Sequence, residues 1–360
     1  MDSTAAPASR ANPELFGHEA AERELRRTYE GGRLPHAMLL SGPRGIGKAT
    51  LAFRFARFVL ANPAAGFGFD IASEEGLAID PESGVFRRVA AGGHADLLTI
   101  ERAWDPRRRR LRSEIVVDDT REITGFLRLT AAEGGWRVVV VDGADEMNRN
   151  AANALLKILE EPPRQALLLL VSHSPGRLLP TIRSRCRRFP LAALPQPLVA
   201  QLLRRHRPGL AEAEAAALSA LASGSIGRAL DLADAGGMAL YRSLLELVSR
   251  APLLDMAAVH GFADKLVGAD AEDSYRAFEE LLSQFLARTA SGAARGALAM
   301  PELVAGEGRA MRALGECRPP ARWAELRDDI ARDFARMHDL NLDRRQALYD
   351  AFFAIAGAAR

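Results

Sequence analysis

Cysteine is almost missing: Cys186 and Cys317 are the only two in 360 residues. That scarcity excludes a disulfide framework and leaves no cysteine-paired zinc pattern, so no zinc is expected. Long apolar runs are missing too. The strongest, residues 166–171, falls far short of the roughly 20 residues needed to span a bilayer. Residues 1–12 hold no apolar core of signal-peptide length, so the sequence reads as a cytoplasmic protein with a frayed N-terminus and no membrane partner. Net charge is only +2, which argues against a surface that grips nucleic acid throughout. Lysine is rare as well. Of 48 Lys+Arg, only Lys48, Lys157 and Lys265 are lysine, so each lysine position carries information.

Lys48 closes the segment Gly42-Pro43-Arg44-Gly45-Ile46-Gly47-Lys48, which has the spacing of a phosphate-cradling P-loop. In such a loop, backbone N–H groups of a glycine-rich turn face the phosphates, the lysine reaches the terminal oxygens and the next hydroxyl holds magnesium. Here the next residue is Ala49, and Thr50 comes one position late, a rotation of roughly 100° on a helix. The context fits the motif: an apolar run at 37–40 precedes the loop and helical periodicity from residue 50 to 60 follows it. Gly42, Gly45, Gly47, Lys48, Thr50 and Asp142 are therefore the candidate nucleotide-binding residues. ATP or ADP is expected as a structural ligand rather than a fuel.

Residues 13–190 alternate helical stretches with short apolar runs, the pattern of an α/β domain with a largely parallel sheet. Candidate strands are 37–40, 96–100, 136–141, 166–171 and 187–191; candidate helices include 119–132 and 150–160, the latter ended by Pro162 and Pro163. Residues 66–93 read as a long surface excursion. After Pro195 the period is helical only. Segments 198–205, 211–222 and 226–234 suggest a three-helix unit, and longer amphipathic helices follow from 238 to 358, interrupted around 291–307. The expected division is a nucleotide-binding-like domain at 1–192, a helical lid at 193–236 and a helical oligomerisation domain at 237–360.

Two further motifs bear on chemistry. Val138-Val139-Val140-Val141-Asp142 is an apolar strand ending in an aspartate, the Walker B form that orients the magnesium shell. Gly143 follows where an active ATPase of this type has a glutamate to polarise water, and Asp145 and Glu146 come three and four residues after Asp142, beyond the expected reach of a γ-phosphate. The other motif is Thr181-Ile182-Arg183-Ser184-Arg185-Cys186, in which Arg185 is a candidate arginine finger presented to a neighbouring subunit's γ-phosphate. As a lone motif it also fits a solvated basic loop.

Residues 153–163, Asn-Ala-Leu-Leu-Lys-Ile-Leu-Glu-Glu-Pro-Pro, followed by Ser184-Arg185-Cys186, resemble the AAA+ subunits of DNA sliding-clamp loaders. Leu34-Pro35-His36-Ala37 and His94-Ala95-Asp96-Leu97 extend the likeness, which is most specific over 134–190. The resemblance implies a RecA-like P-loop AAA+ domain, a three-helix lid and a C-terminal helical collar. It also implies a place in a DNA polymerase holoenzyme, with ATPase subunits, a clamp-opening subunit, the sliding clamp and primed DNA as partners. It puts Arg185 in trans on a neighbour's ATP, groups Ser184, Cys186, Glu160 and Glu161 as interface residues, and puts His173 at a polar sensor position.

Departures from the family pattern limit the carry-over. Relatives often carry a four-cysteine zinc module after the P-loop helix, and this stretch has no cysteine. In Gly224-Ser225-Ile226-Gly227-Arg228 the lid arginine is displaced by one position. With Ala49 and Gly143, three catalytic positions fail together, which favours a stator that displays Arg185. Two other readings stay open: an active ATPase using Thr50 for magnesium and Glu146 for water, and a DNA-binding protein working through arginine clusters such as residues 105–110.

Overall fold

A computed structural model describes residues 7–62, 76–106, 110–268, 271–295, 301–340 and 342–360. The chain divides into two compact units, residues 1–195 and 196–360.

The first unit begins with α1 (Glu19–Glu30), β1 (Ala37–Ser41) and α2 (Lys48–Ala61). It continues through α3 (Gly84–Ala90), β2 (Leu97–Ile100), a two-strand ribbon of β3 (Trp104–Asp105) and β4 (Arg110–Leu111), and α4 (Val117–Arg128). Then come β5 (Arg137–Asp142), α5 (Arg149–Glu160), β6 (Ala166–Ser172), α6 (Pro180–Arg185) and β7 (Arg187–Pro190). The main sheet has the order β2-β5-β6-β1-β7 with every pair parallel. Strands β5 and β6 are apolar at nearly every position because helices cover both faces of the sheet. Met38, Leu40, Val138, Val140, Leu167 and Leu169 pack with α1, α2 and α3 residues, whereas Leu39, Val139, Val141, Leu168 and Leu170 pack with α4, α5 and α6 residues. This is the RecA-like doubly wound arrangement expected from the sequence.

Two expectations change. Residues 66–93 do not form one surface excursion: Leu77, Phe86 and Val89 are buried, and α3 is capped by the Ser83 hydroxyl, which accepts from Phe86 N–H. Residues 63–75 lie outside the described residues. Nor is the N-terminal segment frayed over 10–12. Buried Arg57 of α2 donates to the carbonyls of Arg10 and Asn12, both at 2.7 Å, which pins that segment. Burial holds the Arg57 pKa down to about 10, with the nearby Arg54 charge adding to the effect. Residues 1–6 lie outside the described residues.

The second unit is helical throughout its described elements: α7 (Gln196–His206), α8 (Glu212–Leu221), α9 (Ile226–Asp234), α10 (Gly237–Val248) and α11 (Met256–Leu266). Helices α12 (Glu272–Arg295), α13 (Glu307–Cys317), α14 (Pro320–Leu340) and α15 (Arg344–Ala358) complete it. The interruption expected at 291–307 starts later, because α12 continues to Arg295; residues 296–300 lie outside the described residues. Phe262, Phe278 and Phe352 form an aromatic cluster between α11, α12 and α15. No helix among the described residues is long and apolar enough to cross a membrane.

Candidate functional site

The P-loop connects β1 to α2 at the carboxyl edge of the sheet, where open α/β sheets place ligands. Gly42 has φ +151°, and a Cβ there would lie 2.3 Å from the Leu191 carbonyl oxygen, so only glycine lets the loop approach the end of β7. Gly45 and Gly47 sit further along the same loop, and Gly47 is the N-cap of α2. Lys48 is 2% exposed and its Nζ donates to the Pro43 carbonyl, so the ammonium folds back onto its own loop. Burial lowers its pKa to about 8, although the Asp142 and Asp145 charges oppose that shift. Thr50 is buried in the first turn of α2, two positions after Lys48.

Asp142 ends β5, and its carboxyl pKa is raised to about 6 by burial and by the charges of Glu101 and Glu146, against the pull of Lys48 and Arg44. Asp145 is not a free acid. Its two oxygens accept the backbone N–H groups of His173 and Ser174, each at 2.9 Å, tying the turn after β5 to the end of β6. Burial works to raise its pKa, but these hydrogen bonds win and hold it below the ordinary carboxylate range. His173 has a buried Nδ1 without a hydrogen-bond partner. Its pKa is pushed down to about 4 by burial and then by the Lys48 charge, so the ring is neutral at neutral pH.

The turn after β5 decides where the Glu146 carboxylate lies. Gly143 has φ +84°, the following residues form a 3-10 turn, and the Glu146 carboxylate returns to lie 2.6 Å from where a Gly143 Cβ would be. That carboxylate is engaged by Arg102 at 2.8 Å. Gly143→Glu therefore restores the residue type without restoring the site. It is expected to cost about 1–2 kcal/mol for a left-handed non-glycine residue, with the added displacement of Glu146. Denaturant unfolding of the variant should show the loss, and an unchanged transition midpoint would show that the left-handed glycine is not required.

Sequence reasoning missed the segment that covers this loop. Buried His18 places Nε2 2.8 Å from the Ile46 carbonyl, and Leu15 Cδ1 would lie 2.9 Å from a Cβ on Gly47. The only signal was Phe16-Gly17-His18 just before α1.

On a different part of the unit, α6 ends at Arg185, whose side chain is 36% exposed. Its guanidinium donates to the Thr181 carbonyl at 3.1 Å and pairs with Glu160 at 2.9 Å. Glu160 is the last residue of α5, where a carboxylate opposes the helix macrodipole by roughly 0.3–1 kcal/mol. Ser184 is exposed and donates to the Thr181 carbonyl; Glu161 is exposed as the C-cap of α5. Cys186 differs in exposure from Ser184, Glu160 and Glu161, the residues grouped with it. It is 8% exposed, packs in the core beside Ile182, and burial pushes its thiol up to about 11. In the second unit, Arg228 is paired with Glu280 at 3.3 Å. The basic run at 105–110 falls on the β3–β4 ribbon, with residues 107–109 outside the described residues.

A parallel sheet of this order, a P-loop after its first strand and an aspartate ending β5 define a nucleotide-site scaffold of the AAA+ class. Residues 17–195 match the family described as "DNA polymerase III, delta subunit". The chain is 43% identical over 158 residues to "DNA polymerase III subunit delta'" of Pseudomonas aeruginosa, covering 43% of each. It is 35% identical over 205 residues to the protein of that name from Escherichia coli, covering 57% of this chain and 56% of that one. It is also 31% identical over 283 residues to "DNA polymerase III subunit gamma/tau" of Mycobacterium tuberculosis, covering 77% of this chain and 46% of that one. The chain spans about half the length of the curated relatives it matches. Over residues 17–195 the chain is similar to the DNA polymerase III delta-subunit family, and its likeness there is of the clamp-loader delta' type.

Proposed function

We propose that this chain is a non-catalytic, stator-type subunit of the DNA polymerase III clamp loader that supplies Arg185 in trans to an adjoining ATPase subunit during sliding-clamp loading. The observation that carries this reading is a contrast between two sites of one unit. Arg185 stands exposed at a helix end with donors to spare, while the chain's own pocket has alanine and glycine at the metal and water positions. The two acids that follow Gly143 are already engaged, Asp145 by backbone N–H groups and Glu146 by Arg102. Partners on this reading are ATPase and clamp-opening subunits, the sliding clamp and primed DNA met through the assembled complex. Residues 193–236 would act as the lid and 237–360 as the collar that holds the ring together. The direct test is ATP hydrolysis by the isolated chain, with and without primed DNA. No turnover is expected, and turnover lost in Lys48→Ala would instead establish an active ATPase.

The same reading keeps a weak nucleotide site, because Gly42, Gly45, Gly47 and Lys48 retain the phosphate cradle. Its pH dependence follows from Lys48. The ammonium is charged below about 8, and a bound phosphate would raise its pKa further, so binding takes up a proton above that point. Affinity should be highest below pH 8 and fall by up to about tenfold for each pH unit above it. Fluorescent ADP titrations at several pH values measure this, and affinity unchanged between pH 7 and 9.5 would exclude Lys48 as the phosphate contact.

A further inference from the structure

Arg185 does not stand alone at the end of α6. It is held at two points, the Thr181 carbonyl one turn back on its own helix and the Glu160 carboxylate at the end of α5. Both ends of the ion pair are solvent-accessible, with side-chain exposures of 36% for Arg185 and 51% for Glu160. An exposed pair of this kind adds little to stability, and the carboxylate sits at the helix end that disfavours it. Stability therefore does not account for the arrangement. Geometry does. Arginine is a long side chain with many rotamers, and a guanidinium contributes to a reaction only when it is already where charge develops.

We propose that Glu160 is the positioning residue for Arg185: its carboxylate fixes the guanidinium in one rotamer at the end of α6, ready to meet a phosphate of a nucleoside triphosphate held by an adjoining subunit. This rests on the trans-acting reading of Arg185 given above. A guanidinium carries five N–H donors. The Thr181 carbonyl takes one Nη1 donor and the Glu160 carboxylate lies 2.9 Å from Nη2 as an ion pair, which leaves donors for an incoming anion. Because the Glu160 contact is exposed and weak, it orients the cation without competing against a triphosphate for it. The pairing of α5 with α6 also explains why Glu160, rather than its exposed neighbour Glu161, is the acid that matters.

The test uses a clamp-loader complex reconstituted with the full chain, assayed for DNA-stimulated ATP turnover, with co-elution confirming assembly. Glu160→Ala should lower kcat about tenfold with KM within about twofold of wild type, since a modest misplacement of a catalytic group is costly while nucleotide binding elsewhere is untouched. Glu160→Gln should retain most of kcat, because its amide oxygen still accepts from the guanidinium. Combining Glu160→Ala with Arg185→Ala should add nothing to the loss from Arg185→Ala alone. The proposal is overturned by wild-type or raised kcat in Glu160→Ala, by Glu160→Gln failing as badly as alanine, or by an equal further loss in the Arg185→Ala background. Full turnover with Arg185→Ala would sink the trans-acting reading itself. A defect in Arg185→Ala with none in Glu160→Ala would sink only the positioning role.

Discussion

Arg185→Ala is expected to cut ATP turnover by the adjoining subunit of a reconstituted complex by about 10³-fold or more, the range in which trans-acting arginines operate. The residue suits the part because little of the chain's own structure depends on it. Its contacts are one carbonyl and one exposed carboxylate, so their loss should cost the fold no more than about 1 kcal/mol. Assembly and thermal stability of the isolated chain should therefore persist while turnover collapses. Arg185→Lys should rescue little. An ammonium keeps the charge but lacks the planar fork that can reach Thr181, Glu160 and a phosphate oxygen together. Steady-state turnover on primed DNA, with gel filtration to verify the complex, measures the effect. Wild-type turnover in Arg185→Ala would remove Arg185 from the mechanism, and wild-type turnover in Arg185→Lys would show that charge without the planar fork suffices.

Glu307→Ala is expected to destabilise the second unit by roughly 3–5 kcal/mol, a large share of a domain's stability. Glu307 is fully buried at the start of α13. Its carboxylate accepts the Tyr241 hydroxyl at 2.5 Å, the Arg288 Nε–H at 2.9 Å and the Leu303 N–H at 2.6 Å. Arg288 is itself only 10% exposed, so removing the carboxylate leaves a guanidinium and a phenol without their acceptor in a poorly hydrated place. Burial, followed by the Glu307 charge, pushes the Tyr241 hydroxyl well above its ordinary range, so it stays a donor. Glu307→Gln should lose less, roughly 1–3 kcal/mol, since an amide still offers one acceptor. Denaturant unfolding followed at Trp323, which is buried in the same unit, reads the loss. An unchanged transition midpoint would show that the network does not hold the helices.

Much of the first unit was legible because its signals are local. Apolar runs of strand length, a P-loop between β1 and α2, and prolines after α5 each act within a few residues, and the observed elements fall where these signals lie. What local signals do not carry lies where distant residues or turn geometry decide. Arginine at position 57 looks like a polar interruption of an apolar helix, yet it is buried because carbonyls some 45 residues earlier accept its N–H groups. Glu146 follows Gly143 by three residues, and a left-handed glycine with a 3-10 turn brings its carboxylate back over that glycine. Cys186 shares a motif with exposed Arg185 but, as the C-cap residue after α6, it turns into the core.

Residue order alone puts a loop of P-loop spacing after the first strand, alanine and glycine at positions 49 and 143, and an arginine at 185. These are matters of residue identity and spacing, which the backbone turns directly into local geometry. It takes the folded chain to engage Asp145 with two backbone N–H groups, Glu146 with Arg102 and Arg185 with Glu160. Which acid is free and which cation is held depends on partners brought together by the sheet order and by the packing of α5 against α6. Such pairings arise from burial and long-range contact, and no local pattern encodes them.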